Sequence, residues 1–470
     1  MPILAYSYEV AVNTEEVAKK AGVHKATLLR WLREGLVPEP GRDGRGWRTF
    51  SAEQAEGVAS FADRRTQVAE PRATYSFSPH DSLAVSALRR IDWDFPDAST
   101  GYLTHGLHPY PAKFIPQIPN ALIQELSSVG DTILDPFCGS GTTLVEALLL
   151  KRHAIGIDAN PIACLITAAK TVRLDSSDVE ELRNLEIQLP EIRALFASGQ
   201  MSLFSPDPPV SIPTKPDLDF WFDPLVVSEL SHLKQLCQNL TGVNARVLAQ
   251  ASLSSIIVTV SKQDSDTRYV RRAKVVEPGE TIKRFERALS AAIPRALEFS
   301  DLVEPRFNSQ VFNCDILEPP TTGAVDLVVS SPPYPNAYSY HLYHRTRMLW
   351  LDMDTAGFKK REIGSHRKYS SRASNGAGPD TFREEMGAVL RWLGGVLRPG
   401  GYCCLLIGDS IIRGNLIAND QIITAAAASN GFRLDAQFKR TLRASRKSFN
   451  PIIGKIKEEH ILILRNEKAG

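Results

Sequence analysis

The stretch from 132 to 159 constrains the fold most, because two short apolar runs flank a glycine-rich turn and an amphipathic helix. The runs "TILDPF" and "HAIGIDA" have the length and composition of buried strands, and "GTTLVEALLLKR" between them has helical spacing. Alternating strands and helices are typical of a parallel sheet with helices on both faces. The stretch therefore predicts a fold of the α/β class.

The alternation continues through the second half of the chain. Strand-like runs occupy 309–316, 324–331 and 401–410, which predicts a doubly wound, mostly parallel sheet. The last two strand-like runs, 432–442 and 460–465, have no helix between them. These two predict an antiparallel pair at the edge of the sheet.

Two segments fall outside this pattern. Residues 172–305 separate the second strand from the third, and they hold a proline-rich loop and long helical stretches. We predict that they form a mostly helical insertion. Residues 67–100 show no clear periodicity and are predicted to be a linker, so the α/β domain spans 101–470.

Residues 1–66 form a separate predicted domain. A short helix that Asn13 or Thr14 can cap, a break at Gly22 and a second helix make a helix-turn-helix, and the stretch 38–46 follows as a wing loop. This pattern resembles the winged helix-turn-helix of the MerR family, which implies DNA binding. A module that contacts protein is the alternative.

The same segment supplies the predicted core and the predicted phosphate contacts of this domain. Apolar positions on the two helices are expected to face inward, and basic residues of the second helix and the wing suit phosphate groups. The inward-facing set is Val17, Ala18, Leu28, Leu29 and either Trp31 or Leu32, and the basic set is Lys25, Arg30, Arg33, Arg42, Arg45 and Arg48.

Composition narrows the classes of function. The 55 Lys and Arg residues nearly balance the 53 Asp and Glu residues, so any affinity for nucleic acid must come from local patches. The six cysteines show no Cys-x-x-Cys pair and no zinc-like spacing with histidine, which favours free thiols in a reducing compartment. The N-terminus lacks a secretory signal, and the apolar runs look too short to span a bilayer. We expect a soluble cytoplasmic protein.

The glycine-rich turn after the first strand indicates a ligand site. Gly139 and Gly141 let the backbone approach a ligand without a Cβ in between, and the turn lacks the lysine of a P-loop and the spacing of a dinucleotide fingerprint. Asp158 ends the next strand, where an acidic side chain commonly accepts hydrogen bonds from ribose hydroxyls. These residues indicate a ligand that contains adenosine and is not anchored by phosphates. Close packing alone is the alternative explanation of the turn.

The strand at 324–331 ends in "SSPPY", which predicts the other half of the same site. Because the carboxyl ends of neighbouring parallel strands meet in one crevice, this turn and the glycine turn should lie together. The prolines make the turn rigid and leave their carbonyl groups as acceptors. Acceptors beside the flat ring of Tyr334 suit the exocyclic amino group of a heterocyclic base. A strand terminator with a packing tyrosine is the alternative.

"DPFCGSGTT", followed later by "SSPPY", resembles the DNA amino-methyltransferases that depend on S-adenosyl-L-methionine. The segment "HGLHPYPAKFIPQIPNALI", 105–123, is similar to the one that closes the methionine end of the cofactor site in that family. The resemblance covers most of 102–170 and 309–465, and it implies a Rossmann-like methyltransferase fold. The cofactor-binding residues that it implies are Asp135, Phe137, Gly139 and Gly141 at the methionine moiety, with Lys113 and Phe114 nearby, Asp158 at the ribose and Asp315 at the adenine amino group.

The resemblance also implies that Ser331, Pro332, Pro333 and Tyr334 are the catalytic residues. The version that begins with serine resembles enzymes that act on cytosine N4, whereas versions that begin with Asp or Asn more often act on adenine N6. Hydrogen bonds from the amine to Ser331 and the Pro332 carbonyl would free the nitrogen lone pair, and Tyr334 would stack on the flipped base. No metal is needed. The chain has no Pro-Cys dipeptide, which excludes the carbon-5 cytosine reaction.

Three other functions stay open: adenine N6 methylation, methylation of an RNA amino group, and DNA-binding regulation with an inactive methyltransferase half. The expected partner is double-stranded DNA, with a cognate restriction endonuclease as a possible second partner.

The position of the insertion is unusual for a recognition domain in this family. Basic stretches at 261–274, 344–347, 359–372 and 439–447 would form a rim round the crevice, unless they are ordinary solvated charge.

Overall fold

The structure is a computed structural model that divides into two compact units, Met1–His80 and Asp81–Gly470. The two units are described separately. The residues that the structure describes are 12–23, 28, 31–32, 36–42, 48–67, 83–199, 212–213, 218–370, 376–441 and 458–468.

The first unit contains a three-stranded antiparallel sheet and two described helices. Asn13 caps the first helix as predicted, because its side chain accepts from the backbone N–H groups of Glu15 and Glu16 while the Glu16 carboxylate accepts from the Asn13 N–H. The elements are β1 (Val12–Asn13), α1 (Thr14–Lys20), β2 (Gly41–Arg42), β3 (Arg48–Phe50) and α2 (Ala52–Gln67), with β3 in the middle of the sheet.

The predicted core of this unit is confirmed where the structure describes it. Val17, Ala18, Leu28, Trp31 and Leu32 are all buried. Most of the predicted second helix and the tip of the wing lie outside the described residues. The same holds for Leu29, Lys25, Arg30, Arg33, Arg45 and the side chain of Arg42.

Arg48 is described, and its guanidinium Nε lies 2.7 Å from Glu39 Oε1. This ion pair neutralises one of the basic groups that were predicted to contact phosphate.

The second unit is built on the predicted mostly parallel sheet. The sheet order is β13–β14–β10–β9–β4–β5–β8, in which the strands from β10 to β8 are parallel and β14 pairs antiparallel with both β10 and β13. These strands are β4 (Thr132–Asp135), β5 (His153–Asp158), β8 (Ser309–Asn313), β9 (Val325–Ser330), β10 (Leu397–Gly408), β13 (Phe432–Thr441) and β14 (Glu458–Asn466).

The topology places a crevice in the middle of the sheet. From β4 the chain moves outward through β5 to β8, and from β9 it moves in the opposite direction to β10. Ligands bind at such reversals, outside the carboxyl ends of the strands. The antiparallel pair of β13 and β14 was also predicted, but β14 lies inside the sheet and only β13 is at the edge.

Helices cover both faces of the sheet, as predicted. Apolar clusters lie on each side, one around Leu134, Val328 and Leu405 and the other around Ile133, Leu327 and Leu406, because successive strand residues point to opposite faces. The helices are α3 (Leu83–Leu88), α4 (Gln117–Leu126), α5 (Thr142–Leu149), α6 (Pro161–Thr171), α7 (Ser176–Ala197), α8 (Leu218–Trp221), α9 (Pro224–Asn239), α10 (Val243–Val260), α11 (Glu280–Leu302), α12 (Tyr340–Tyr343), α13 (Arg345–Trp350), α14 (Thr355–Arg361), α15 (His366–Tyr369), α16 (Pro379–Val396) and α17 (Asn419–Ala428). Two short hairpin sheets pair β6 (Gln263–Ser265) with β7 (Arg268–Arg271) and β11 (Ser410–Ile412) with β12 (Asn415–Ile417).

The described residues of the segment 172–305 are mostly helical and include one short hairpin, β6–β7. Its long helices α7, α9, α10 and α11 share an apolar core with the end of α6 and with Trp350 of α13. Glu229 on α9 is fully buried, and its carboxylate accepts hydrogen bonds from the backbone N–H groups of Gly279, Thr281 and Ile282 at the start of α11. A carboxylate at a helix N-terminus is stabilising, so this contact joins two helices of the insertion firmly.

The helix α10 has the length and composition of a membrane span, contrary to the expectation that apolar runs in this chain are too short. It has 18 residues with a mean hydropathy of 1.3, and 61% of that window is buried within the protein. It packs against α7, α9 and α11 and supplies much of the apolar core of the insertion.

The predicted linker 67–100 is wrong in its second half. Residues 83–100 are described, and they include α3 and the buried Trp93, which stacks on Phe438 of β13 at a ring distance of 5.4 Å. The apolar side chains Val85, Leu88 and Trp93 pack under the sheet. Val85 and Leu88 have helical spacing, but α3 has only six residues, which is too short for a periodic pattern to stand out, and so the sequence suggested a linker. Residues 68–82 lie outside the described residues.

Candidate active site

A cavity of about 360 Å³ lies at the carboxyl ends of the parallel strands, where the strand order reverses. Its lining brings together the glycine turn after β4, the end of β5 and the "SPPY" turn after β9. Of the predicted site residues, those that line it are Lys113, Phe114, Asp135, Phe137, Gly139, Asp158, Ser331, Pro332, Pro333 and Tyr334.

The side formed by Asp135, Gly139 and Asp158, which we call the glycine wall, is held by backbone hydrogen bonds. Gly139 has a φ of +50° and donates its N–H to Asp158 Oδ2 at 2.9 Å. Asp158 Oδ1 accepts from the N–H of Asn160 at 2.8 Å. A glycine suits the turn because side chains rarely adopt this φ, and a Cβ there would lie 3.5 Å from the ring of Tyr110.

Burial changes the acid–base properties of both carboxyl groups in this wall. Asp135 Oδ1 accepts from the Ser330 hydroxyl at 2.6 Å and from the Phe137 N–H at 3.1 Å. Desolvation nevertheless raises the pKa of Asp135 to about 6, and it does the same to the pKa of Asp158. A positively charged or hydroxyl-bearing ligand at this wall would favour the ionised carboxylates.

The segment before α4 forms the roof of this side of the cavity. The Lys113 ammonium donates to the backbone carbonyls of His105, at 3.2 Å, and His108, at 2.8 Å, so it ties its own loop together. The imidazole of His105 lies 2.6 Å from a Glu146 carboxylate oxygen in a buried pair. Tyr110 lines the cavity between this loop and the glycine turn.

The "SPPY" turn is held by residues from two later segments. Asn336 has a φ of +63°, and its N–H donates to the carbonyl of Gly364 at 3.0 Å. The Asn336 side chain donates to the carbonyl of Ile411 at 2.6 Å. Gly364 has a φ of +75°, and a Cβ there would lie 3.1 Å from the Tyr334 carbonyl oxygen. Neighbouring loops therefore fix the backbone that carries Tyr334.

Tyr334 is also fixed through its phenol group. The hydroxyl donates to Glu459 Oε1 on β14 at 2.8 Å, and Glu459 Oε2 accepts from Arg440 Nη1 on β13 at 3.0 Å. Burial, followed by the nearby Glu459 carboxylate, raises the pKa of Tyr334 well above its usual value, so the phenol stays protonated. Ser331, Tyr334, Arg440 and Glu459 all line the cavity, and we call them the tyrosine wall.

Two of the predicted residues do not line the cavity. Gly141 caps α5 with a φ of +77°, and a Cβ there would lie 2.8 Å from the Thr167 side chain, so this glycine permits close helix packing. The Asp315 carboxylate accepts from the backbone N–H of Leu317 at 2.9 Å, and Ile316 lines the cavity instead. The expectation that Asp315 faces a bound adenine therefore has no support in this geometry.

The sequence reasoning missed several residues that line the cavity. The ring of Tyr110 stacks on Tyr340 at 5.6 Å, and Tyr338 lies 5.6 Å from Tyr340. The signal was the tyrosine-rich run "YSYHLY" directly after the "SPPY" turn. Arg440 lies in the basic stretch 439–447 that was predicted to rim the crevice, but the sequence did not single it out. Glu459 left no comparable signal, because it is an ordinary charged residue in a strand. The missed lining residues are Tyr110, Tyr338, Tyr340, Phe358, Arg361, Glu362, Arg440 and Glu459.

The predicted basic rim is partly present. Lys359 and Lys360 on α14 and Arg367 on α15 are exposed, and Arg361 lines the cavity. Residues 371–375 and 442–457 lie outside the described residues. The stretch 344–347 does not belong to the rim, since His344 and Arg347 are fully buried beside the insertion.

The hairpin β6–β7 places a second basic surface next to the segment that follows the "SPPY" turn. Gln263 of β6 donates to the carbonyl of Tyr343 at 3.1 Å and accepts from the Thr346 hydroxyl at 3.0 Å. On this hairpin Arg268 and Arg272 lie 3.2 Å and 3.4 Å from the same Asp264 carboxylate, which leaves an excess of positive charge.

One group of possible metal ligands occurs among the described residues. Asp409, Asp420 and His460 each place a ligand atom within 4.8 Å of the others. The Gln437 amide lies 2.9 Å from both the Asp420 carboxylate and His460 Nδ1, so hydrogen bonds already join the group.

Comparisons with known proteins agree with this architecture. Residues 72–169 match the N6_N4_Mtase family model, described as DNA methylase, and residues 13–50 match that of the MerR family regulatory proteins. Together these matches confirm the resemblance to the amino-methyltransferases of DNA, of either the N4 or the N6 type, and that of the N-terminal segment to the MerR family.

The chain is also similar to curated proteins that are named as type II methyltransferases. The chain is 27% identical over 278 residues to the type II methyltransferase M.MvaI of Kocuria varians, across 55% of this chain and 60% of that protein. It is 37% identical over 105 residues to the type II methyltransferase M.MjaII of Methanocaldococcus jannaschii, across 21% of this chain and 19% of that protein. The match thus spans less than two thirds of either relative.

A solved structure also matches in part. The S-adenosyl-L-methionine complex of a DNA modification methylase from Thermus thermophilus, described as putative, is 19% identical over 33% of this chain and 50% of that chain, with a TM-score of 0.20. A superposition this partial adds nothing about the site.

Proposed function

We propose that this chain, which resembles the N4 and N6 amino-methyltransferases of DNA, transfers a methyl group from S-adenosyl-L-methionine to the exocyclic amino group of a flipped cytosine. The observation that carries the proposal is that the glycine turn and Ser331–Tyr334 line one cavity. A ligand at the glycine wall and a base at the tyrosine wall would therefore be neighbours.

The glycine wall fits S-adenosyl-L-methionine. The Asp158 carboxylate uses one lone pair of each oxygen for the N–H groups of Gly139 and Asn160, and further lone pairs stay available for ribose hydroxyls. Asp135, Phe137, Lys113 and Phe114 would surround the methionine moiety, and the ionised Asp135 carboxylate would complement its positive charges. When bound, the cofactor supplies an electrophilic methyl group on its sulfonium.

The tyrosine wall fits the target base. The Ser331 hydroxyl and the Pro332 carbonyl would accept the two N–H groups of the amine, which draws its lone pair out of the ring and toward the methyl group. Pro333 keeps the turn rigid, and the ring of Tyr334, held by Glu459, would stack on the base. A base paired in a duplex must leave the helix to reach such a pocket.

Double-stranded DNA is the partner that we propose for the surface around the cavity. The exposed Lys359, Lys360 and Arg367 lie on helices that follow the "SPPY" turn, and the hairpin β6–β7 adds Arg268 and Arg272 beside the same segment. Phosphate contacts of this kind fix the register of a protein on DNA. The insertion would thus supply part of the DNA-binding surface. The MerR-like unit would add a second DNA contact or regulate transcription.

The test is to sequence host DNA with modification-sensitive reads, with and without this gene, and to analyse the nucleosides of the methylated DNA by mass. We expect N4-methylcytosine at one recurring site in the strain that carries the gene. N6-methyladenine at that site would replace the cytosine assignment with the adenine alternative. Methylation of tRNA and not of DNA by the purified protein would support the RNA alternative. Failure to bind S-adenosyl-L-methionine in calorimetry would favour an inactive domain in a regulator.

A further inference from the structure

Arg440 carries a buried hydrogen-bond donor that pairs with no group among the described residues. Its side chain is only 10% exposed, and its Nε–H is buried without a partner among the described residues, whereas Nη1 bonds to Glu459. Leaving a buried donor unpaired is costly, so such a group usually has a partner in the working state of a protein.

The strand register places the Arg440 side chain at the target end of the cavity. In the β13–β14 register Arg440 is opposite Glu459, and Glu459 is opposite Gly408 at the carboxyl end of β10. Because β14 runs antiparallel to the central strands, its first residues lie at the edge where "SPPY" lies. Arg440 lines the same cavity as Ser331 and Tyr334.

We propose that Arg440 recognises the target base by donating hydrogen bonds to the N3 and O2 acceptors of cytosine. The proposal rests on the function proposed above and names the group that selects the base within that site. The Ser331 hydroxyl of this wall and the neighbouring Pro332 carbonyl can accept and match the N4 amino group, while the Glu459 carboxylate is occupied by Tyr334 and Arg440. Cytosine presents two acceptors beside that amino group, and the planar guanidinium has donors spaced to reach both.

The same arrangement disfavours adenine. With its N6 amino group at Ser331, adenine places the N1 acceptor beside the amine, but a C–H group follows where cytosine has O2. One guanidinium donor would then stay buried without a partner, which lowers affinity for that base. Arg440 thus supplies a cytosine preference that the Ser-Pro-Pro-Tyr motif does not supply by itself.

Glu459 is a positioning residue in this proposal. Its two carboxylate oxygens accept from Tyr334 and from Arg440, so it holds the stacking ring and the guanidinium in one fixed relation. Burial raises the pKa of Glu459 from its usual value, while Arg440 and the Tyr334 hydroxyl favour its ionised form.

The experiment combines a protein change with a change in the base. The substrate is a duplex that carries the site found by sequencing, with the target cytosine intact, with N3 replaced by C–H (3-deaza-2′-deoxycytidine), or with O2 replaced by sulfur. The proteins are the wild type, Arg440→Met, and Arg440→Met combined with Glu459→Gln, which leaves no unpaired carboxylate. Arg433→Met removes a guanidinium from an exposed position on the same strand and serves as the control.

For the wild type and the control we expect each base analogue to lower kcat/KM by about 10- to 100-fold, as is usual for a lost base contact. In both Arg440 variants, kcat/KM on normal DNA falls by a similar factor, and the analogues lower it by less than about threefold further. A variant that is merely misfolded would lose cofactor affinity and would not lose its sensitivity to one atom of the base. S-adenosyl-L-methionine affinity is therefore measured for every variant.

The opposite outcome is that, with both analogues, the fall in kcat/KM from the changed base and the fall from the Arg440 substitution simply multiply. That outcome would show that Arg440 does not contact the base. That result differs from a failure of the proposed function, in which the wild type forms no N4-methylcytosine on the normal duplex.

Discussion

The two walls of the cavity are built in different ways. The glycine wall comes from one continuous stretch of chain, since Asp158 bonds to the N–H of Gly139 nineteen residues earlier. The tyrosine wall is assembled from distant segments, since Tyr334 bonds to Glu459, 125 residues later, on a strand that runs in the opposite direction. The first wall therefore depends mostly on local contacts, apart from the Ser330 hydroxyl that bonds to Asp135, whereas the second exists only when the β13–β14 pair has joined the sheet.

The two walls are expected to have separate binding roles, and mutations can test this separation. If the glycine wall holds the cofactor and the tyrosine wall holds the base, changes on one side should affect one binding step and leave the other nearly intact.

The largest effect is expected on the tyrosine wall. Ser331→Ala removes an acceptor for the amine and should lower kcat by about 10²- to 10³-fold. Tyr334→Ala removes the stacking ring and should lower kcat/KM on DNA by about 10- to 100-fold. Both variants should bind S-adenosyl-L-methionine within about twofold of the wild type in calorimetry.

Tyr334→Phe is the matched control for the ring. It keeps the stacking surface and loses the hydrogen bonds of the phenol hydroxyl to Glu459 and Ser331, so most of the activity should remain. Wild-type turnover by Tyr334→Ala or Ser331→Ala would show that this wall does not hold the base.

An intermediate effect is expected on the glycine wall. Asp158→Asn removes the charge that would accept the ribose hydroxyls, and it should weaken S-adenosyl-L-methionine binding by about 10- to 100-fold, the usual value of hydrogen bonds to a charged group. Asp315→Asn, at a carboxylate outside the cavity lining, should change the affinity by less than about twofold. Equal losses in the two variants would return Asp315 to the cofactor site.

The last effect expected is a graded dependence on pH, which is small near pH 7 and grows as the pH falls. Burial raises the pKa of Asp135 and of Asp158 to about 6, and a cationic, hydroxyl-bearing cofactor favours both ionised forms. Protons therefore compete with the cofactor as the pH falls below about 6, and the Kd should rise by about tenfold per pH unit for each group that must lose its proton. Above about pH 7 the Kd should be flat.

Calorimetry from about pH 5 to pH 8 measures this dependence. Asp158→Asn should make the acid limb shallower, because only Asp135 is then left to titrate. An affinity that does not change between pH 5 and pH 8 would mean that neither carboxylate meets the cofactor.

The sequence predicted the sheet well because its signals are local. The alternation of strands and helices from 132 onward, the cap at Asn13 and the turn at Gly139 each depend on a few neighbouring residues. The same reasoning failed at 83–100, where Trp93 is buried by contact with Phe438 in a strand far along the chain. It also failed at Arg347, which looked like surface charge but is buried between Asp266 and the Ser254 carbonyl.

By itself the sequence determined the α/β sheet, the order of the glycine and "SPPY" turns and the chemistry that their residues offer. All of these follow from side-chain type and short-range spacing. Only the tertiary structure decided that Ile316 and not Asp315 lines the cavity, that Tyr110, Tyr338 and Tyr340 line it as well, and that Arg440 and Glu459 lie beside Tyr334. Those neighbours are set by strand order and direction, because an antiparallel strand brings its beginning to the edge where the parallel strands end.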